Sequence, residues 1–143
     1  MDIQTIADRM AITDLLTRYA HAVDTKDWGL YRTVFTPDAR IDYSTAGGPN
    51  GDLDTVVEQL SKALELFERT QHFISNIGVD LDGDRARVRA MFLNPMIVSP
   101  GRRFYCGGWY HHELVRTSDG WRSTSLVEES AWFDGLEEAF AQN

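Results

Sequence analysis

Apolar positions recur at the helical period through the first half of the chain and switch to a period of two from Gln71 onward. Ile12, Leu15, Leu16, Tyr19, Ala20 and Val23 follow the i, i+3, i+4, i+7 rule of one buried stripe. That spacing predicts a helix over 3–23. A second, short helix over 28–35 would carry Trp28, Tyr31 and Phe35 and stop at Pro37. "ARIDYS" reads as a short strand, and "TAGGPNGD", rich in Gly, Pro and Asn, as a loop suited to a mobile lid. Asp52 is placed to cap a third helix over 53–67, with Val56, Val57, Leu60, Ala63, Leu64 and Phe67 on its buried side. The period-two region predicts strands over 71–81, 84–97, 103–116 and 121–132. They are joined by the turn signals "DGD", "SPGR" and "SDG". A short helix over 135–140 closes the pattern.

Helices come first and an antiparallel meander follows, with no βαβ rhythm. The expected fold class is therefore α+β: a cone-shaped curved antiparallel sheet wrapped around the N-terminal helices, as one domain over 1–143. The mouth of such a cone is a favoured ligand site. Strand parity then sorts the side chains. Ala86, Val88, Ala90, Phe92, Asn94 and Met96 share one face, and Arg85, Arg87 and Arg89 the opposite, solvated one. Asn94 is the polar exception on the apolar face. It either satisfies backbone near Pro95 or contacts a ligand.

Charge and composition narrow the partners. With 14 basic and 22 acidic residues the formal charge is −8, a field that opposes polyanions, so no nucleic acid is expected. No run of about twenty apolar residues is present, so no membrane span is expected. The opening "MDIQTIADRM" is acidic and lacks the apolar core of a signal peptide, which points to the cytoplasm. The single cysteine, Cys106, allows no intramolecular disulfide and reads as a small buried residue.

Asp24 continues the row Leu16–Ala20–Asp24 at i, i+4, i+8, so helical geometry aims its carboxylate inward. A carboxylate taken from water needs a partner. Capping the second helix is the plain alternative, though Asp27 competes for that task. His72, at the start of the first long strand, is the candidate partner. Imidazole exchanges protons near neutral pH, and a carboxylate on one ring nitrogen frees the other to act as base. A packed strand histidine is the alternative there. Tyr19, Tyr43 and Tyr110 are each placed either to donate a phenolic hydrogen bond or to pack in the core. His111 and His112 are strand neighbours, so only one enters the pocket; the set Phe104, Cys106, Tyr110, His112, Leu114 is the more apolar, unless a bulge at Gly107 and Gly108 reverses it. His21 is a surface ion-pair candidate. Histidine spacing fits no metal motif, and no phosphate loop, dinucleotide fingerprint or nucleophile elbow is found, so neither metal nor cofactor is expected.

Three stretches carry a family likeness: "IADRMAITDLLTRYAHAVDTKDWGLYRTVFTPDARIDY", "TQHFISNIGVDLDGDRARVRAMF" and "GGWYHHELVRTSDGWRSTSLVEESAWF". Over nearly its whole length the chain resembles the SnoaL-like branch of the nuclear transport factor 2-like superfamily. Its pattern is nearest to relatives of scytalone dehydratase and hexachlorocyclohexane dehydrochlorinase. The resemblance implies an Asp–His pair at Asp24 and His72 and a pocket tyrosine at Tyr43, working without metal or cofactor. It also implies a homo-oligomer, dimer or trimer. One departure is Met96, standing near the place of that dehydratase's second pocket histidine. Tyr110, His111 or His112 would replace its polar pair on the third long strand. The expected activity is a dehydratase-like lyase acting on a small hydrophobic cyclic molecule of polyketide, terpenoid or steroid type. Isomerisation or cyclisation by the same pair, and non-catalytic binding of a small ligand, are the alternatives.

Overall fold

The computed structural model describes residues 1–141. Helix α1 (Ile3–Thr25) starts where the Asp2 side chain accepts the Thr5 N–H and ends at Lys26 in the left-handed conformation. Its stripe is buried as the spacing predicts, with Ala20 half-covered. Helix α2 (Trp28–Arg32) is shorter than expected. Phe35 belongs instead to strand β1 (Phe35–Asp42), which contains Pro37. The strand tolerates the proline because pairing with its neighbour is interrupted between Phe35 and Arg40, where the missing N–H goes unneeded.

The loop after β1 is more ordered than its composition suggests. It holds a 3₁₀ turn (Ser44–Ala46) and strand β2 (Asn50–Asp52). Thr45 Oγ1 donates to the Glu128 carbonyl (2.7 Å) and accepts the Ser130 N–H (3.0 Å), fastening the loop to the far strand. Asp52 caps helix α3 (Leu53–Leu64) by accepting the Thr55 N–H. The helix stops short of the expected Phe67, and the chain turns from Glu65 to Phe67.

Strands β3 (Arg69–Thr70), β4 (Phe73–Asp82), β5 (Arg85–Ser99), β6 (Arg102–Thr117) and β7 (Gly120–Asp134) follow, then helix α4 (Leu136–Ala139). The seven-stranded sheet runs β2-β1-β7-β6-β5-β3, with β4 also on β5. It curls around α1 as the α+β cone that the pattern predicts. One pairing differs from the expected antiparallel plan: β1 lies parallel to β7, making the sheet mixed. Helix α3 and strands β2 to β6 separate those two strands in sequence, which lets the chain return in the same direction.

Bulges set the curl. Asn76, at φ 51°, marks an extra residue in β4. Ala131 is extra in β7 opposite the glycines of β6. A Cβ on Gly108 would fall 2.0 Å from the Glu129 carbonyl oxygen, so only glycine permits that approach. Beneath the closed end, buried Asp8 accepts two bonds from Arg116 (2.7 and 2.9 Å), one from Trp121 Nε1 (3.1 Å) and one from Gln4 (3.0 Å). Arg85, Arg87 and Arg89 lie on the exposed face, as their alternation predicts. Among the described residues no helix is long and apolar enough to cross a membrane.

Candidate active site

Asp24 sits in the last turn of α1, where a carboxylate meets the unfavourable end of the helix dipole and no basic residue of that turn offsets it. Its carboxylate is held by other contacts. Oδ2 accepts the His72 backbone N–H (2.8 Å), and Oδ1 accepts from Thr70 Oγ1 (3.0 Å) and lies 2.6 Å from His72 Nδ1. Capping of α2 falls to Asp27, which accepts the Leu30 N–H. Half-burial opposes ionisation of Asp24, but the bonds and charge from His72, with Thr70, outweigh it and hold the carboxyl below its ordinary range.

His72 lies in the gap between β3 and β4, and the gap has a cause on each side. Pro95 faces it from β5, accepting from the Gln71 N–H (3.1 Å) but having no N–H to return. The next N–H, that of His72, points away from β5 and goes to Asp24. Backbone and ring are thus fixed by the same carboxylate, and the His72 side chain is only 7% exposed. With Nδ1 facing Asp24, Nε2 is the nitrogen left for the cavity that the ring lines.

That cavity encloses about 280 Å³. Val23, Leu60, Leu64, Phe67, Met96 and Phe104 give it an apolar wall, residues 46–49 of the loop form part of its rim, and Leu136 and Phe140 approach from the C-terminal helix region. Its deep side is a tyrosine cluster. Tyr43 is the hub, with its hydroxyl 2.7 Å from that of Tyr19 and 2.8 Å from that of Tyr31. Tyr110 stacks on Phe92 at 4.5 Å between centroids and accepts from Asn94 Nδ2 (3.2 Å). Burial raises the pKa of all four tyrosines, so each is a neutral hydroxyl able to donate. Asn94 is 2% exposed, and its Oδ1 has no protein partner among the described residues.

The structure therefore brings Tyr19, Tyr43, His72, Asn94 and Tyr110 onto one cavity, with Asp24 behind the imidazole. It does not bring His111 or His112 there. His111 points outward and pairs with Glu129 (2.9 Å), because the glycine bulge lengthens β7 and leaves the parity of β6 intact. His112 points inward as the apolar set implied, but lies against Tyr19 and outside the cavity lining, bonded to Ser123 Oγ (2.8 Å). Burial pushes its pKa down to about 3, so it is a neutral core histidine. His21 is exposed, and no ion pair engages it among the described residues. Cys106 lines the cavity with its thiol pushed up to about 12 by burial, too high for a thiolate nucleophile. Among the described residues no three His, Cys, Asp or Glu side chains converge as a metal site.

Two site residues were missed in the sequence. Tyr31 reads as plain core yet holds Tyr43 in place. Glu128 is 7% exposed and on the cavity wall, with its carboxyl pushed up to about 7. Alternation counted from Trp121 sends it outward. The shift of pairing between β6 and β7 at Glu113 and Leu114 leaves Thr124 extra and reverses the parity, so Leu126 and Glu128 turn in. Alternation counted forward from Leu126 finds it.

Comparison with known proteins agrees with this architecture. Residues 4–127 match the model of the SnoaL-like domain. An uncharacterized protein of Mycobacterium tuberculosis is 38% identical over 130 residues, 90% of this chain and 88% of its own. Among solved structures, a candidate aromatic ring hydroxylase of Novosphingobium aromaticivorans is 31% identical, with TM-score 0.84 over 94% of this chain and 96% of its own. A candidate scytalone dehydratase of the same organism is 19% identical, with TM-score 0.84 over 94% and 91%. The hexachlorocyclohexane dehydrochlorinase LinA-type3 of Novosphingobium barchaimii is 18% identical, with TM-score 0.83 over 100% of both chains. At that identity the last two speak to the fold alone. On the domain match and the mycobacterial relative, the chain belongs to the SnoaL-like domain family.

Proposed function

We propose that the cavity is the active site of a cofactor-independent acid–base enzyme, a dehydratase-like lyase for a small, largely apolar cyclic molecule. The observation that carries this is the 2.6 Å contact of His72 Nδ1 with Asp24, which turns the second ring nitrogen toward an apolar cavity. In this reading Asp24 fixes the tautomer with the proton on Nδ1, and Nε2 takes a proton from a substrate carbon. The imidazolium that forms is stabilised by the carboxylate in a site where water screens little. Tyr43, braced by Tyr19 and Tyr31, polarises the substrate.

The volume corresponds to about nine water-sized spaces, room for a one- or two-ring molecule. We read the reaction as elimination; a dehydrochlorinase and a candidate dehydratase share the fold and carry that chemistry in their own names. Isomerisation would use the same base and return the proton to another carbon without a leaving group.

The test is a panel of cyclic β-hydroxy ketones, followed by the absorbance of the conjugated enone product. His72→Ala should lower turnover by roughly 10²–10⁴-fold, while addition of a chelator leaves the rate unchanged. Undiminished turnover in His72→Ala would remove the base from the reaction.

A further inference from the structure

Glu128 is the only acidic side chain on the cavity wall among the described residues, and no lysine or arginine lines that wall. A buried carboxyl without a cation costs several kcal/mol if ionised, so a ligand site is a better reason for its presence than packing. Among the described residues its carboxyl is only weakly held, 3.5 Å from Ser130 Oγ and with the Tyr110 hydroxyl nearby. The titratable groups that interact with it are Asp42 from β1, Tyr110 and Cys106 from β6, Tyr19 from α1 and Tyr31 from α2, and Tyr43 shares the cavity wall. None is cationic.

Cross-strand register aligns Ala90, Tyr110 and Glu128 on β5, β6 and β7, which makes Tyr110 and Glu128 direct neighbours on the inner face. Asn94 reaches Tyr110 from β5 and leaves its buried Oδ1 without a partner. A donor carboxyl, a phenol and an orphan acceptor thus meet on a wall that is otherwise mostly apolar. His72 enters from the start of β4, on the far side of β5.

We propose that Glu128, Tyr110 and Asn94 form an oxygen subsite that binds a neutral hydroxyl or carbonyl of the substrate, and that Glu128 gives this oxygen its proton. The subsite deepens the acid–base reading of His72 and rests on it for the chemical step. A hydroxyl donates to Asn94 Oδ1 and accepts from the Glu128 carboxyl. Anionic ligands find no counter-charge there. Burial pushes the Glu128 carboxyl up to about 7, with Ser130 and Tyr110 only partly offsetting it, so the acid still holds its proton below neutrality.

In the elimination, His72 Nε2 takes the carbon-bound proton and the C–H pair becomes the new C=C bond. The C–O bond breaks, and the departing hydroxyl takes the Glu128 proton and leaves as water. One proton then passes from His72 to Glu128 to restore both groups.

The probe is 2-naphthol, titrated into the full chain by fluorescence between pH 5.5 and 8.5, below the range in which naphthol itself ionises. Wild-type affinity should be constant at low pH and fall by up to about tenfold per pH unit above neutrality. Glu128→Gln, which keeps a donor and cannot ionise, should bind with a flat profile. Glu129→Gln, at the exposed neighbour paired with His111, should keep the wild-type binding profile. No binding below pH 7, a flat wild-type profile, or a profile unchanged in Glu128→Gln would each overturn the subsite. If Glu128→Gln does not fold, the ¹³C carboxyl signal of Glu128 in labelled wild-type protein decides. Protonation and naphthol affinity must then be lost over one pH interval, and separate intervals overturn the proposal. Continued turnover in His72→Ala with a Glu128-dependent profile would defeat the base and leave the subsite standing.

Discussion

Asp24→Asn separates orientation of the imidazole from mere packing. The carboxylate has three acceptor tasks: the His72 backbone N–H at 2.8 Å, Nδ1 at 2.6 Å and Thr70 at 3.0 Å. An amide has one oxygen. If that oxygen stays with the backbone N–H, the NH₂ faces Nδ1, which becomes an acceptor, and the ring proton moves to Nε2. The lone pair that should take the substrate proton is then gone. If the oxygen turns to Nδ1 instead, the amide and the His72 N–H confront each other as two donors. Loss of one charge-assisted bond to the imidazolium costs about 1.5–3 kcal/mol, or roughly 10–10²-fold in rate. With the tautomer penalty the expected fall is on the order of 10²–10⁴-fold. Stability should change less, because removing a carboxylate from the end of α1 returns about 0.3–1 kcal/mol. The assays are turnover and ¹⁵N shifts of the labelled imidazole, which report which nitrogen carries the proton. A variant that keeps wild-type turnover with the proton still on Nδ1 would refute the argument.

Two stability predictions follow from the same structure. Asp8, held well below the usual carboxylate range chiefly by Arg116, contributes stability that is present above its unfolded pKa near 3.8 and is lost as pH falls through that value toward its folded pKa. Asp8→Ala should cost about 1–3 kcal/mol at neutral pH by orphaning the buried Trp121 N–H. In urea titrations the gap from wild type should narrow toward pH 3, and a constant gap would contradict the linkage. Tyr43→Phe should destabilise more than Tyr31→Phe, because loss of the hub hydroxyl breaks two buried hydrogen bonds, whereas loss of the spoke breaks one and leaves Tyr43 paired with Tyr19. Equal losses in thermal unfolding would show that the hydroxyl network adds nothing.

The helical stripe of α1 and the alternation of β5 are visible in the sequence because each faces one uniform environment over many residues. Boundaries are less visible. Pro37 signals a helix stop by its missing N–H, yet the same absence suits a strand residue at a break in pairing. Nothing local distinguishes the two, since the partner strand β7 lies nearly ninety residues away. The gap at His72 is similar. It depends on Pro95 facing it and on Asp24 accepting the outward His72 N–H, two contacts that exist only after the sheet has formed.

The site divides along the same line. Asp24 was legible because helical geometry carries an inward direction over two turns, and His72 because its residue type narrows its chemistry. Glu128 was hidden by one extra residue, Thr124, which reverses the alternation from there to the second bulge at Ala131. In "VEES" the two glutamates look alike, but the bulge sends Glu129 to solvent with His111 and Glu128 to the cavity with Tyr110. The bulge at Gly107 and Gly108 has the opposite consequence, for its extra residue lies in the partner strand and the β6 parity survives. Bulges therefore act on this cavity as chemistry as well as curvature. Were Thr124 paired in regular alternation rather than bulged, the same sequence would turn Glu128 to the surface and Glu129 to the cavity.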